Sequence, residues 1–170
     1  QQITDWPTEY YLSRGRHCLL RPLDIQPGDT VLELGCGCGA LTRYLGEVGA
    51  KVVAVDGSAA RARIAAERCS DLPNVRVFVD DLLRFQSSEK YDWVLLIGVL
   101  EYAPVFSLSD NPALHYLNQA SSHLAVQGRL VIAIENKLGL KYFNACGEDH
   151  VGKPFFGIQG LYGEKSPCTY

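Results

Sequence analysis

Apolar runs alternate with stretches of helical period along most of the chain. Thr30 to Leu34 (TVLEL) is a short apolar run that ends in glycines, as a buried parallel strand does. Leu41, Leu45 and Val48 then recur at helical spacing, and Gly49 stops the pattern as a C-terminal cap. Lys51 to Asp56 (KVVAVD) is a β-branched run closed by an acid, followed by Ser58 as the cap of an alanine-rich helix through Cys69. Val75 to Val79 predicts a third strand, ending at Asp80 and Asp81, and Tyr91 to Ile97 a fourth, central one. Asn111 and Pro112 open a helix whose Leu114, Leu117, Ser121 and Leu124 share one face and which Gly128 closes. Arg129 to Ile134 (RLVIAI) is the fifth strand, and Pro7 to Leu20 is expected to be a helix before the first.

Strands alternating with helices imply an α/β fold: a Rossmann-like, doubly wound parallel sheet of about five strands with helices on both faces. Ligands of such sheets sit outside the carboxyl ends of the strands, so polar residues that end strands are the ones to weigh. Composition leaves this picture in place. The chain has 170 residues, 47% hydrophobic and 21% charged, the profile of one soluble domain rather than a disordered or fibrous chain. A net charge of -3 provides no basic field for nucleic acid. The longest apolar run, Trp93 to Leu100, is far short of the ~20 residues a membrane helix needs, so no membrane insertion is expected. Six scattered cysteines read as packing residues of a reduced, cytoplasmic protein; Cys36 and Cys38 lack the partners of a zinc site, so no metal is expected.

Gly35, Gly37 and Gly39 follow a strand and open a helix, letting backbone approach a ligand where a side chain would collide. With Ala40 and Asp56 the loop also satisfies the dinucleotide pattern, so an NAD-linked oxidoreductase is one reading. Three features oppose it. Glu33 puts an acid beside the place a pyrophosphate would take, Asp81 puts another where an adenine amino group could donate, and the length leaves no separate substrate domain. A cationic adenosine ligand suits an acid-rimmed loop better.

Val31 to Gly39 (VLELGCGCG), Val53 to Asp56 (VAVD), Asp81, Tyr91 to Pro104 (YDWVLLIGVLEYAP) and Gln127 to Ile134 (QGRLVIAI) together resemble the successive motifs of class I S-adenosylmethionine-dependent methyltransferases. The resemblance implies S-adenosyl-L-methionine as cofactor. It implies Gly35, Gly37 and Gly39 along the methionine part, Asp56 on the ribose hydroxyls, Gly57 and Ser58 near the adenine, Asp81 and the backbone of Leu82 at the adenine amino group, and Gly98 facing the sulfonium. Glu33 either contacts the ligand or braces the loop through nearby backbone. Tyr11 to Leu23, Leu41 to Glu47 and Ile134 to Gly160 are similar to methyltransferase domains of bacterial cell-surface polysaccharide assembly, often fused to glycosyltransferases. That implies a saccharide or other small-molecule hydroxyl as acceptor and a glycosyltransferase domain as possible partner. A non-catalytic module of the same fold is the alternative.

Methyl transfer needs nucleophile, methyl and sulfur in line, and a hydroxyl acceptor gains from a base within reach. His150, beside Glu148 and Asp149, is the leading base; Glu101 and Glu135, close to strand ends, are its rivals. His115 and His123 fall within a helix pattern and read as surface residues, while Tyr10, Tyr11, His17, Phe155 and Phe156 stack on ligand or simply pack. The expected division is 1–29 as lead-in, 30–136 as cofactor core and 137–170 as lid and acceptor loop. The terminal hairpin usual in the resembled family has no counterpart, and the chain starts at Gln1 without any Met. Both features read as a piece of a longer chain with five parallel strands.

Overall fold

Successive residues of the central strands feed two apolar layers, one on each face of a single sheet. The structure, a computed structural model, describes Thr4, Glu9, Tyr11 and residues 13–170. Its elements run β1 (Thr30–Leu34), α1 (Ala40–Val48), β2 (Lys51–Asp56), α2 (Ala59–Arg68), β3 (Val75–Val79), β4 (Tyr91–Ile97), α3 (Ala103–Phe106), α4 (Pro112–Ser122), β5 (Leu124–Ala133) and α5 (Leu140–Phe143). The strand order is β3-β2-β1-β4-β5 and every pairing is parallel. Among the described residues no strand follows β5, in keeping with the expected five.

Val31, Val52, Ala54, Trp93 and Leu95 point to a layer that receives Leu41 and Leu45 of α1 and Ala65 of α2. Leu32, Leu34, Val53, Val55, Val94 and Leu96 point the other way, to Tyr116 and Ala120 of α4 and to Phe85. Burial on both faces is why these strands read as continuous apolar runs. Each such side chain contributes roughly 1.5–3 kcal/mol by leaving water. Glu33 is the exception within β1, buried on the α1 side.

Helix ends follow local chemistry. The Ser58 hydroxyl accepts from Arg61 N (3.5 Å) at the start of α2. At the end of α1, Gly49 takes φ 95° while its N–H donates to Gly46 O and that of Ala50 to Leu45 O, a Schellman closure.

Two expectations need correction. The helix after Asn111 ends at Ser122, not at Gly128, and Leu124 already pairs with Tyr91 in β5. The pairing then jumps, so that Trp93 meets Arg129; the intervening residues bulge outward and leave Val126 fully exposed. Gly128 belongs to this bulge, where a Cβ would stand 2.6 Å from Tyr91 O. As a result His123 is not a surface residue. It is the C-cap of α4, its carbonyl accepts from Tyr91 N, and its ring packs between Phe85 and Tyr91. His115 is exposed, as expected. Part of the helix expected over Pro7 to Leu20, including Pro7 and Tyr10, lies outside the described residues; Arg14–Leu19 is a 3-10 helix.

Candidate active site

The strand order reverses between β1 and β4, which places a crevice above their C-terminal ends. The glycine loop after β1 forms one wall. Gly35 has φ 87° and a Cβ there would collide with the Val99 side chain after β4, so the loop packs directly against that side chain. Gly39, at φ 77°, is the N-cap of α1, and its added Cβ would sit 2.9 Å from Ala65 Cα. Only Gly37 of the three looks onto a looser space, with the Tyr11 ring 3.9 Å from a notional Cβ.

Asp56 ends β2 and ties this wall together. Its Oδ2 accepts from Gly37 N (2.8 Å), and its Oδ1 from Ser58 N (2.8 Å) and Arg61 Nε (3.1 Å). One carboxylate therefore sets the glycine loop and the start of α2. Gly57 lies between these partners, facing the Asp80 carbonyl. Glu33 sits beneath the loop, where its Oε2 accepts from Thr42 Oγ1 of α1 (2.6 Å). Burial pushes its pKa up to about 7, against the lowering from the Thr42 bond. Asp81, after β3, is half exposed; its Oδ1 accepts from Leu83 N (2.9 Å), and Leu82 packs toward the position of Gly35. Gly98 ends β4 with φ 67° and donates to Ala133 O (2.8 Å). His17 packs against the start of α1, its ring tilted against Tyr44 and its Nε2 3.2 Å from Ala40 O.

The other wall comes from the segment after β5. Glu148 is almost wholly buried: Oε2 accepts from His150 N (2.8 Å) and Val151 N (2.7 Å), and Oε1 from His150 Nδ1 (2.9 Å) and Tyr162 Oη (3.0 Å). Burial raises its pKa, but the bonds from His150, Val151 and Tyr162 outweigh that and hold it low. The carboxylate fixes Nδ1 as the donor, so Nε2 is the nitrogen open to a proton. The edge of Tyr102, just after β4, meets the His150 ring at 5.5 Å. Asp149 faces elsewhere, accepting from Lys141 Nζ (2.6 Å) and Tyr142 Oη (2.7 Å).

Glu101 is 3% exposed; its Oε1 accepts from Glu135 N (3.1 Å) and its Oε2 has no hydrogen-bond partner. Burial raises its pKa, partly offset by backbone bonds and the attraction of His150. Glu135 is ion-paired with Lys141 (3.0 Å). His150, Glu101 and Glu135 are thus brought to the ends of β4 and β5. Phe156 packs edge-on against Tyr162, whereas Phe155 is exposed with φ 60°. Among the described residues, no three His, Cys, Asp or Glu side chains gather as metal ligands, and no helix is long and apolar enough to cross a membrane.

Residues 32–130 match the model of the methyltransferase domain family. The chain belongs to that family. Over 112 residues it is 27% identical to pavine N-methyltransferase of Thalictrum flavum subsp. glaucum, covering 64% of this chain and 30% of that enzyme. It is 38% identical over 66 residues to ribosomal RNA small subunit methyltransferase A of Thermotoga neapolitana, covering 39% of this chain and 25% of that protein. A crystal structure of coclaurine N-methyltransferase bound to N-methylheliamine and S-adenosylhomocysteine superposes with a TM-score of 0.61 at 26% identity, over 81% of this chain and 40% of that one. The chain therefore spans a third or less of the length of these curated relatives. For a methyltransferase domain, the glycine wall and strand-end acids were legible in the sequence. Thr42, Arg61, Tyr162 and Thr169 were not, although Arg61, three residues past the Ser58 cap, could have been found from the capping pattern alone.

Proposed function

We propose that the crevice binds S-adenosyl-L-methionine and that the domain transfers its methyl group to a hydroxyl of a carbohydrate or other small molecule, with His150 as base. The residues present fit the cofactor. Adenosine offers hydroxyl and amino donors, and Asp56 and Asp81 stand at neighbouring strand ends as acceptors; Gly37 leaves its side of the loop open. When bound, the cofactor supplies a methyl group on a cationic sulfur. Gly35, Gly37, Gly39 and Gly98 let backbone close around it, with Gly57, Ser58 and Leu82 at the adenine end. Buried Glu33 acts by bracing β1 against Thr42 of α1.

The observation that carries the acceptor reading is the Glu148–His150 pair. Glu148 orients the ring, while Nε2 takes the acceptor proton as the new bond forms. A hydroxyl must always lose its proton as the bond forms, whereas an amine needs a base only when it arrives protonated, so the oriented base is read here with a hydroxyl and amines are kept in the test. Glu101, buried with its pKa raised by that burial, adds the unpartnered oxygen Oε2 to the acceptor side. The relatives named above are N-methyltransferases and a ribosomal RNA methyltransferase; the polysaccharide setting and a glycosyltransferase partner rest on the sequence resemblance.

The test is transfer of radiolabelled methyl from the cofactor to a panel of sugar hydroxyls, other hydroxyls and amines. Labelled hydroxyl acceptors, with turnover falling sharply in His150→Gln, support the reading. Transfer confined to amines and unimpaired by His150→Gln would overturn it.

A further inference from the structure

The Glu148 carboxylate that orients His150 is itself held from behind. Tyr162 Oη lies 3.0 Å from Glu148 Oε1 and 2.6 Å from Thr169 Oγ1. A phenol has one proton to give, and an ionised carboxylate can only accept. Tyr162 therefore donates to Glu148 and receives from Thr169, which sets one direction through the whole chain of groups. Thr169 is anchored on both sides: Cys168 N donates to Glu101 O (2.9 Å) and Tyr170 N to Glu135 O (3.1 Å). The network thereby connects the backbone at the ends of β4 and β5 with the His150 ring.

The fold also makes room for it. A Cβ on Gly157 would stand 2.6 Å from Tyr162 Oη, 2.8 Å from Thr169 Oγ1 and 3.6 Å from Glu148 Cγ. The Tyr162 ring has separate support from Phe156, edge-on at 5.4 Å, so its hydroxyl can be removed without removing its packing.

We propose that Tyr162, oriented by Thr169, is a positioning residue that fixes the Glu148 carboxylate and through it the tautomer and orientation of His150. This rests on the reading of His150 as base for its catalytic consequence, but not for its structural one. Besides Glu148, the titratable groups facing this cluster include Glu101, Tyr102, Tyr162 and Cys168. Losing the Tyr162 donor frees the Glu148 carboxylate to turn, so its bond from His150 Nδ1 loosens and the tautomer preference weakens.

Long-range proton–nitrogen spectra of histidine-labelled protein, with His150 assigned through His150→Gln, test this without an acceptor. Wild type is expected in the Nδ1–H tautomer near neutrality. Tyr162→Phe should mix the tautomers, seen as loss of the single Nδ1–H pattern. Gly157→Ala, which keeps the hydroxyl but wedges the network apart, should act in the same direction. Tyr142→Phe, which removes a hydroxyl bonded to Asp149 in the same segment, should leave His150 unchanged. An unchanged His150 pattern in Tyr162→Phe, or an equal change in Tyr142→Phe, would overturn the proposal. If His150→Gln leaves turnover intact, the role of His150 as base fails, while the spectra still decide the role of Tyr162.

Discussion

On one side of the crevice, Asp56 takes three donors from a loop held between regular elements; on the other, Glu148 takes four from a segment with a single four-residue helix. The first carboxylate is placed by its strand, and its neighbours would be in position through the sheet alone. The second has no strand or long helix beneath it. Its position comes from turns, side-chain hydroxyls and the clip of residues 168–170 onto the ends of β4 and β5. A cofactor wall built from regular elements needs few specific side chains, whereas an acceptor wall built from turns depends on each polar contact it makes.

This contrast is broken most sharply by removing one key group from each wall. His150→Gln should lower turnover by on the order of 100-fold or more while leaving the affinity for S-adenosylhomocysteine unchanged, since general bases contribute about 100- to 10,000-fold. Paired kinetics and calorimetry check both halves of that statement; a parallel loss of affinity would mean the two walls are not separable. Asp56→Ala should do the opposite first. Leaving the donors of Gly37, Ser58 and Arg61 without their acceptor costs about 3 kcal/mol, on the order of 100-fold in cofactor affinity if the loop is what loosens.

How much of this was readable beforehand differs between the walls for the same reason. β1 to β4 were legible to the residue because apolar runs end in glycine or acid at the crevice, although β3, at the sheet edge, is only partly buried. The start of β5 was not. Leu124 continues the helical spacing of Leu114 and Leu117, and only the pairing of Leu124 with Tyr91 shows that the chain has already turned into the sheet. The same turn buries His123. In the acceptor segment no periodicity exists to read, and Glu148, Tyr162 and Thr169 meet from turns that leave no pattern in the sequence. His150 beside an acid was visible; that Glu148 faces it while Asp149 faces Lys141 was not.

Glu33 sharpens the comparison from within the cofactor wall. Its folded pKa of about 7 lies above the ordinary 4.5, so the folded state binds the proton more tightly than the unfolded one. The stability this contributes is fully present below about pH 4.5 and is lost as pH rises through 7. Glu33→Gln should therefore raise the melting temperature at pH 8 relative to wild type by several degrees more than at pH 5, and an equal effect at both values would show that the carboxylate is already relieved by its surroundings. Gly39→Ala should cost about 2 kcal/mol, from a left-handed φ of 77° and the contact with Ala65, read as a lower unfolding midpoint in denaturant. The smallest effect belongs to a site remote from both walls. Asn111→Ala removes the side-chain oxygen that accepts from Leu114 N (3.1 Å) and should cost about 1 kcal/mol without changing cofactor affinity.

The central claim, that a cofactor wall anchored by Asp56 binds S-adenosylmethionine independently of the acceptor wall, is tested most directly by titrating S-adenosylhomocysteine into wild type, Asp56→Ala and His150→Gln by calorimetry. Saturable binding to wild type and His150→Gln, with binding to Asp56→Ala weakened on the order of 100-fold, is the predicted result. No binding to the folded wild-type domain, or equal binding to all three, would contradict it.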